Sequence, residues 1–114
     1  KKKVKVWGSG KVLRELLYVE DFADAVLFFI NKKIKEDFLN IGSGKDYSID
    51  WYTKFIMREM NVKLKIVYDK SKPDGVPRKL LDVSLAKKYG WVSKTSLEKG
   101  FLNTLEDFRS GYRT

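Results

Sequence analysis

Apolar and polar positions alternate through Val4-Lys5-Val6-Trp7, a period of two that predicts a strand. Gly8-Ser9-Gly10 breaks it. Residues 11–19 are rich in apolar side chains but carry Arg14 and Glu15 at their centre. Glu20 and Asp21 supply negative charge for a helix start, and residues 22–30 continue as a helix that is apolar on most sides. Such a helix expects burial on more than one face, and so short a chain has little to cover it, which predicts a partner. Residues 37–41 read as a short strand ending at Gly42-Ser43-Gly44. Ser48 suits the N-cap of a helix to about Met60, with Tyr52, Phe55, Ile56 and Met60 as its apolar stripe. Residues 64–68 form a second good strand pattern. Ser84 is read as the cap of a short helix through Tyr89, stopped by Gly90, after which Trp91 packs on the core. Ser96 caps a last helix with Leu97, Phe101, Leu105 and Phe108 on one face, and the tail from Ser110 to Thr114 reads as frayed.

About four strands or extended segments separated by helices favour α/β units over a sandwich. No linker is evident, so residues 1–114 read as a single small mixed α/β domain. With 43% hydrophobic and 14% aromatic residues the chain can bury a core. No apolar run approaches the ~20 residues that span a bilayer, and no apolar stretch follows Lys1–Lys3 as a signal peptide would require. The absence of cysteine leaves no disulfide framework and fits a cytoplasmic protein. The absence of histidine as well leaves few ways to hold zinc or to run nucleophilic catalysis. The chain opens on Lys rather than Met, so it is expected to be processed, truncated or a cut segment.

A formal net charge of +9 suits nucleic acid, a membrane surface or a phosphorylated small molecule, and spread lysines also serve solubility. The lysines do spread along the chain, and no nucleic-acid motif accompanies them, so nucleic acid ranks last. One stretch concentrates the question. Residues 70–82, K-S-K-P-D-G-V-P-R-K-L-L-D, hold both prolines, one Asp-Gly turn signal and the cations Lys70, Lys72, Arg78 and Lys79. It is either a solvated loop with ordinary turn chemistry or a stiffened basic loop facing an anionic ligand.

Three tempting motifs fail, two on spacing and one on context. Gly8-Ser-Gly-Lys11 and Gly42-Ser-Gly-Lys45 lack the first glycine and the hydroxyl residue of a phosphate loop. Neither completes the G-x-G-x-x-G dinucleotide fingerprint, because Leu13 and Tyr47 stand where the last glycine belongs. Tyr68-x-x-x-Lys72 has the spacing of a helical proton-transfer pair, but Tyr68 ends a predicted strand and Lys72 precedes Pro73, where helix is disfavoured. Trp7 and Arg14, seven residues apart across a glycine turn, could stack on a flat ring and fork onto phosphate, or be a core indole and a surface guanidinium.

An ordered set of runs is more specific. Val6-Trp-Gly-Ser-Gly10 leads to Arg14-Glu15 and Tyr18-Val19, then Asp21-x-Ala-Asp-Ala25 and Asn40-Ile-Gly-Ser-Gly44. Ser71-Lys-Pro-Asp-Gly75 follows, then Pro77-Arg-Lys-Leu-Leu-Asp-Val83, Gly90-Trp91 and Ser96-Leu-Glu-x-Gly100. Over almost the whole chain this resembles the C-terminal, substrate-binding part of the GDP-L-fucose synthase family. These are GDP-4-keto-6-deoxy-mannose epimerase/reductases of the extended short-chain dehydrogenase/reductase type. The resemblance implies epimerisation of a keto sugar at C3 and C5, then reduction at C4 by NADPH. By motif position it makes Trp7, Arg14 and Asp74 contacts of the GDP-sugar, with Lys79 as a neighbour. It also implies that the glycine-rich NADP(H) turn, the catalytic Ser and Tyr-x-x-x-Lys, and the Cys and His of the epimerisation lie in an N-terminal half of a Rossmann-type enzyme that these residues do not include. On that reading the chain carries no catalytic residue, holds no cofactor or metal by itself and is inactive alone, with GDP-sugar as ligand and a nucleotide-binding half or a second copy as partner. Glu20 and Leu16 depart from the family's usual Asp and aromatic. The alternative is a truncated, self-associating interaction module, dimeric or element-swapped, without catalysis.

Overall fold

The computed structural model describes residues 2–111. The chain folds as two compact units, each assembled from two separate stretches. Residues 2–15 and 45–80 make the first, and residues 16–44 with those from 81 onward make the second.

In the first unit the alternating segment is strand β1 (Lys3–Trp7). Strand β2 (Leu13–Glu15) follows the glycine turn, and β3 (Asp46–Ser48) leads into helix α2 (Ile49–Glu59). Strand β4 (Lys65–Asp69) and the two-residue β5 (Arg78–Lys79) flank the basic loop. β1 pairs in parallel with β4, from Lys3 opposite Lys65 to Trp7 opposite Asp69. β2 is the centre of a second sheet, antiparallel to β3 and parallel to β5. The Ser48 hydroxyl accepts a hydrogen bond from the Trp51 amide at 3.0 Å, the N-cap that the sequence predicts. Tyr52 and Phe55 of the predicted stripe are buried with Val6, whereas Ile56 is exposed. Phe55 also ends a ring ladder: Tyr47 stacks on Trp51, and Trp51 on Phe55, with centroids 4.0 and 5.2 Å apart.

The second unit is helical: α1 (Val19–Ile30), α3 (Ser84–Lys88) and α4 (Leu97–Arg109). Ala25, Ala86 and Trp91 form its core, with Leu17, Phe29 and Ile41 packed on it. Asp21 is a buried carboxylate at 4% exposure. It accepts from the Lys94 amide (3.1 Å), the Thr95 amide (2.9 Å) and the Thr95 hydroxyl (2.8 Å). The Trp91 indole donates to Asp24 at 3.0 Å. Ser96 caps α4 by accepting from the Lys99 amide. Gly100 faces Tyr18, whose Cβ would lie 3.1 Å from a Cβ at that position, so a larger residue there would press α4 and Tyr18 apart.

Three expectations are corrected. Residues 37–41 make no strand: no ladder reaches them, Phe38 is 76% exposed, and Ile41 packs on the helical core instead. Ser84 is the first residue of α3 rather than its cap; its amide donates to Asp82 at 3.0 Å. Five strands are found among the described residues rather than about four, because β2, β3 and β5 are two or three residues long and exist only through pairing with each other. The predicted stop at Gly90 holds, with φ at +103°. The fraying expected beyond Gly111 falls outside the described residues.

Candidate functional site

The four residues singled out from the sequence, Trp7, Arg14, Asp74 and Lys79, all belong to the first unit. β1 delivers Trp7 to its end, where the indole stays 68% exposed with the Lys72 ammonium 5.1 Å from its ring centroid. The backbone then turns through Gly8, at φ +81°. Asp74 packs directly on that turn: a Cβ on Gly8 would fall 2.2 Å from Asp74 Oδ1. The Ser9 amide donates to Asp74 Oδ1 at 2.7 Å, and the Ser9 hydroxyl donates to Oδ2 at 2.9 Å. These two donors, with the charges of Lys11 and Arg14 adding to them, hold the Asp74 carboxyl below the usual carboxylate range.

Arg14 sits on the middle strand β2, its carbonyl accepting from the buried Tyr52 hydroxyl at 2.9 Å. Its Nη1 donates to the Leu13 carbonyl (2.7 Å) and across to the Val76 carbonyl (2.9 Å). The guanidinium therefore holds the 73–76 loop at Val76 while Ser9 holds it at Asp74. Trp7, Arg14 and Asp74 line one open cleft of about 470 Å³, together with Lys5, Val12 and Pro73. That volume falls in the range of small-molecule sites. Lys79 is the register partner of Arg14 on β5 and is exposed, but it does not line the cleft.

The cations of the basic loop are not equivalent. Arg78 is committed to Asp46, with Nε 2.7 Å from Oδ2, which ties β5 to β3 across the intervening β2. Lys72 is the one over the indole. Tyr68 and Lys72 do not form a proton-transfer pair: Tyr68 lies on β4 and donates its hydroxyl to Asp50, whose other oxygen takes Lys54 at 2.7 Å. Asp50 as acceptor raises the Tyr68 pKa, and Lys54 followed by Tyr68 lowers that of Asp50. Sequence reasoning missed Ser9, Lys5 and Asp46. Ser9 was legible only as part of a turn, and Lys5 only as the polar half of an alternation. Asp46 acquires its role from a strand pairing that local pattern does not contain.

Neither glycine turn makes a dinucleotide cradle. β2 follows the first and β3 the second, so no helix N-terminus opens there. The amides of Gly8 and Ser9 already serve Asp69 and Asp74. Among the described residues no group of three or more acidic, His or Cys side chains could hold a metal, and no helix is long and apolar enough to cross a membrane.

The NAD dependent epimerase/dehydratase family matches residues 1–42. The GDP-L-colitose synthase of Yersinia pseudotuberculosis is 42% identical over 109 residues, covering 95% of this chain and 35% of its own length. The GDP-L-fucose synthase of Sinorhizobium fredii is 43% identical over 105 residues, covering 92% and 33%. Over almost its whole length this chain is similar to GDP-L-fucose synthases. It spans about a third of the length of the curated relatives that it matches. Among solved structures, a GDP-L-fucose synthetase from Naegleria fowleri superposes with a TM-score of 0.86 at 26% identity, over 96% of this chain and 34% of the other. The UDP-glucose 4-epimerase of Thermotoga maritima with UDP-glucose gives 0.86 at 30% identity, over 97% and 36%. The mixed α/β class expected from the sequence is that of these epimerases and reductases.

Proposed function

We propose that this chain is the GDP-sugar-binding portion, a single domain over residues 1–114, of an NADP-dependent epimerase/reductase like the GDP-L-fucose synthases. The observation that carries this reading is the convergence of Trp7, Arg14 and Asp74 on one cleft. Their chemistry is complementary to a sugar nucleotide. The exposed indole offers a flat apolar face for a ring. The part of the Arg14 guanidinium not hydrogen-bonded to carbonyls can fork onto a diphosphate. Each Asp74 oxygen, though engaged by Ser9, keeps a second lone pair for a hydroxyl or base N–H. Lys79, exposed beside Arg14 on β5, adds positive potential from outside the cleft.

In this reading the chain binds and orients substrate, and the chemistry is done elsewhere. NADP(H) and the groups that transfer hydride and epimerise the sugar are assigned, in this reading, to residues outside this stretch. A cytoplasmic location goes with this reading. Titration calorimetry of the 114-residue chain with GDP and GDP-L-fucose tests it. Binding is expected, with Arg14→Ala weakening it about ten- to a hundredfold, the scale of one charge-assisted fork. No heat with either ligand, in the presence or absence of a matching nucleotide-binding half, sinks the proposal.

A second reading, self-association, is favoured by a separate observation. Val19, Phe22, Val26, Leu27 and Ile30 of α1 are all exposed, and four of them recur at the spacing of one helical stripe. Each such side chain gains about 1.5–3 kcal/mol on full burial, so the stripe drives dimerisation or element exchange. A monomeric sedimentation profile at high micromolar concentration would count against it.

A further inference from the structure

We infer that Ser9 is a positioning residue of the proposed sugar-nucleotide site, acting through Asp74; the inference rests on the GDP-sugar reading above. The argument begins with the turn. Gly8 has no side chain, and that vacancy is occupied by the Asp74 carboxylate, which would lie 2.2 Å from a Cβ there. Ser9 then presents two donors to one carboxylate, its amide to Oδ1 at 2.7 Å and its hydroxyl to Oδ2 at 2.9 Å. A two-point attachment fixes the plane of the carboxylate as well as its place. The direction of the hydroxyl proton is fixed too. Ser9 Oγ accepts from the Lys11 amide at 3.2 Å, which leaves its own proton for Asp74.

On the far side of the loop the Arg14 guanidinium holds the Val76 carbonyl. Asp74 is thus gripped between two anchors, with Pro73 stiffening the chain before it and Gly75 turning at φ +81° after it. Only the Ser9 anchor meets the carboxylate itself. Alanine at position 9 keeps the amide donor and the turn, so it removes orientation and leaves the fold. Threonine keeps the hydroxyl.

The test measures GDP affinity of the 114-residue chain carrying Ser9→Ala, Ser9→Thr, Asp74→Asn and the Ser9→Ala/Asp74→Asn double change, with circular dichroism as the check on folding. Ser9→Ala is expected to weaken GDP about tenfold, the scale of one hydrogen bond to a charged group. Ser9→Thr is expected to match the wild type. The double variant is expected to bind no more weakly than Asp74→Asn alone, because the carboxylate that Ser9 orients is already gone. The acid limb of GDP binding should also move to higher pH in Ser9→Ala. Asp74 is held below its usual range first by the Ser9 amide and then by the hydroxyl, and losing the hydroxyl lets it protonate sooner as pH falls. Full affinity in Ser9→Ala, or additive losses in the double variant, would overturn the inference. A wild type that ignores GDP removes the ligand reading. The clasp is then decided by the ¹³C titration of the Asp74 carboxyl without ligand, where an unchanged midpoint in Ser9→Ala overturns it and an upward shift sustains it.

Discussion

Asp21 offers the sharpest test of what holds the helical unit together. It is almost fully buried at the start of α1 and accepts three hydrogen bonds from residues 94 and 95, far away in sequence. Asp21→Ala removes the acceptor and leaves two backbone N–H groups and one hydroxyl without a partner. Each stranded buried donor costs about 1–3 kcal/mol. The acid also sits in the first turn of α1, where its charge contributes about 0.3–1 kcal/mol against the helix dipole. Some of the donors will reach water in the vacated space, so the sum is discounted to about 3–5 kcal/mol. That is a large share of the ~5–15 kcal/mol that keeps a domain folded. Asp21→Asn should fall between, since its amide oxygen can keep the two backbone donors and its NH₂ can turn to the Thr95 hydroxyl, but the hydrogen bonds lose their charge and the helix start its negative group. Urea unfolding at neutral pH, followed by circular dichroism, measures both variants. The expected result is a lower midpoint with an unchanged slope. A loss under ~1 kcal/mol for Asp21→Ala, or an Asp21→Asn variant equal to wild type, would refute the account of Asp21 as the anchor of the 94–95 segment.

Other outcomes follow from the first unit. Trp7→Ala should leave the urea midpoint unchanged, since the indole is largely exposed, yet weaken GDP binding severalfold; calorimetry that shows equal affinity would remove Trp7 from the site. Gly8→Ala must adopt a left-handed φ and push Asp74 aside, so amide exchange should quicken across residues 73–76 without global unfolding. Asp50 has its pKa lowered by Lys54 and Tyr68, so it contributes stability above the ordinary carboxylate pKa that is lost as pH falls through its own lower value. Asp50→Asn should flatten the stability profile on that acid side, and a profile identical to wild type would sink the assignment.

How far the sequence could be read depended on whether the signal was local. The cap at Ser48, the cap at Ser96 and the stop at Gly90 are local chemistry, and each stands where its residue type predicts. β1 is legible by its alternation, and β4 by its run of β-branched and aromatic residues, each along its own length. β2, β3 and β5 are not, since a strand of two or three residues has no period and is defined by what lies beside it. The same limit applies to the cleft. Trp7, Arg14 and Asp74 could be chosen by motif, but the grip of Ser9 on Asp74 spans 65 residues and has no trace in either segment alone. Residues 37–41 show the converse error: an apolar pattern that suits a strand packs one side chain on helices and leaves another in solvent.

The division of each unit between two stretches of chain sets an order of events during synthesis. Lys3 must wait for Lys65 before β1 has a partner, and α1 must wait for residues 94 and 95 before Asp21 is satisfied. Within this stretch, the residues made first are therefore among the last to be secured, and large loops must close before any of these contacts forms. Neither unit can be excised as a continuous piece, because every cut that frees one severs the other. A single proteolytic nick near residue 45 would leave both units in two parts, held together only by packing and hydrogen bonds.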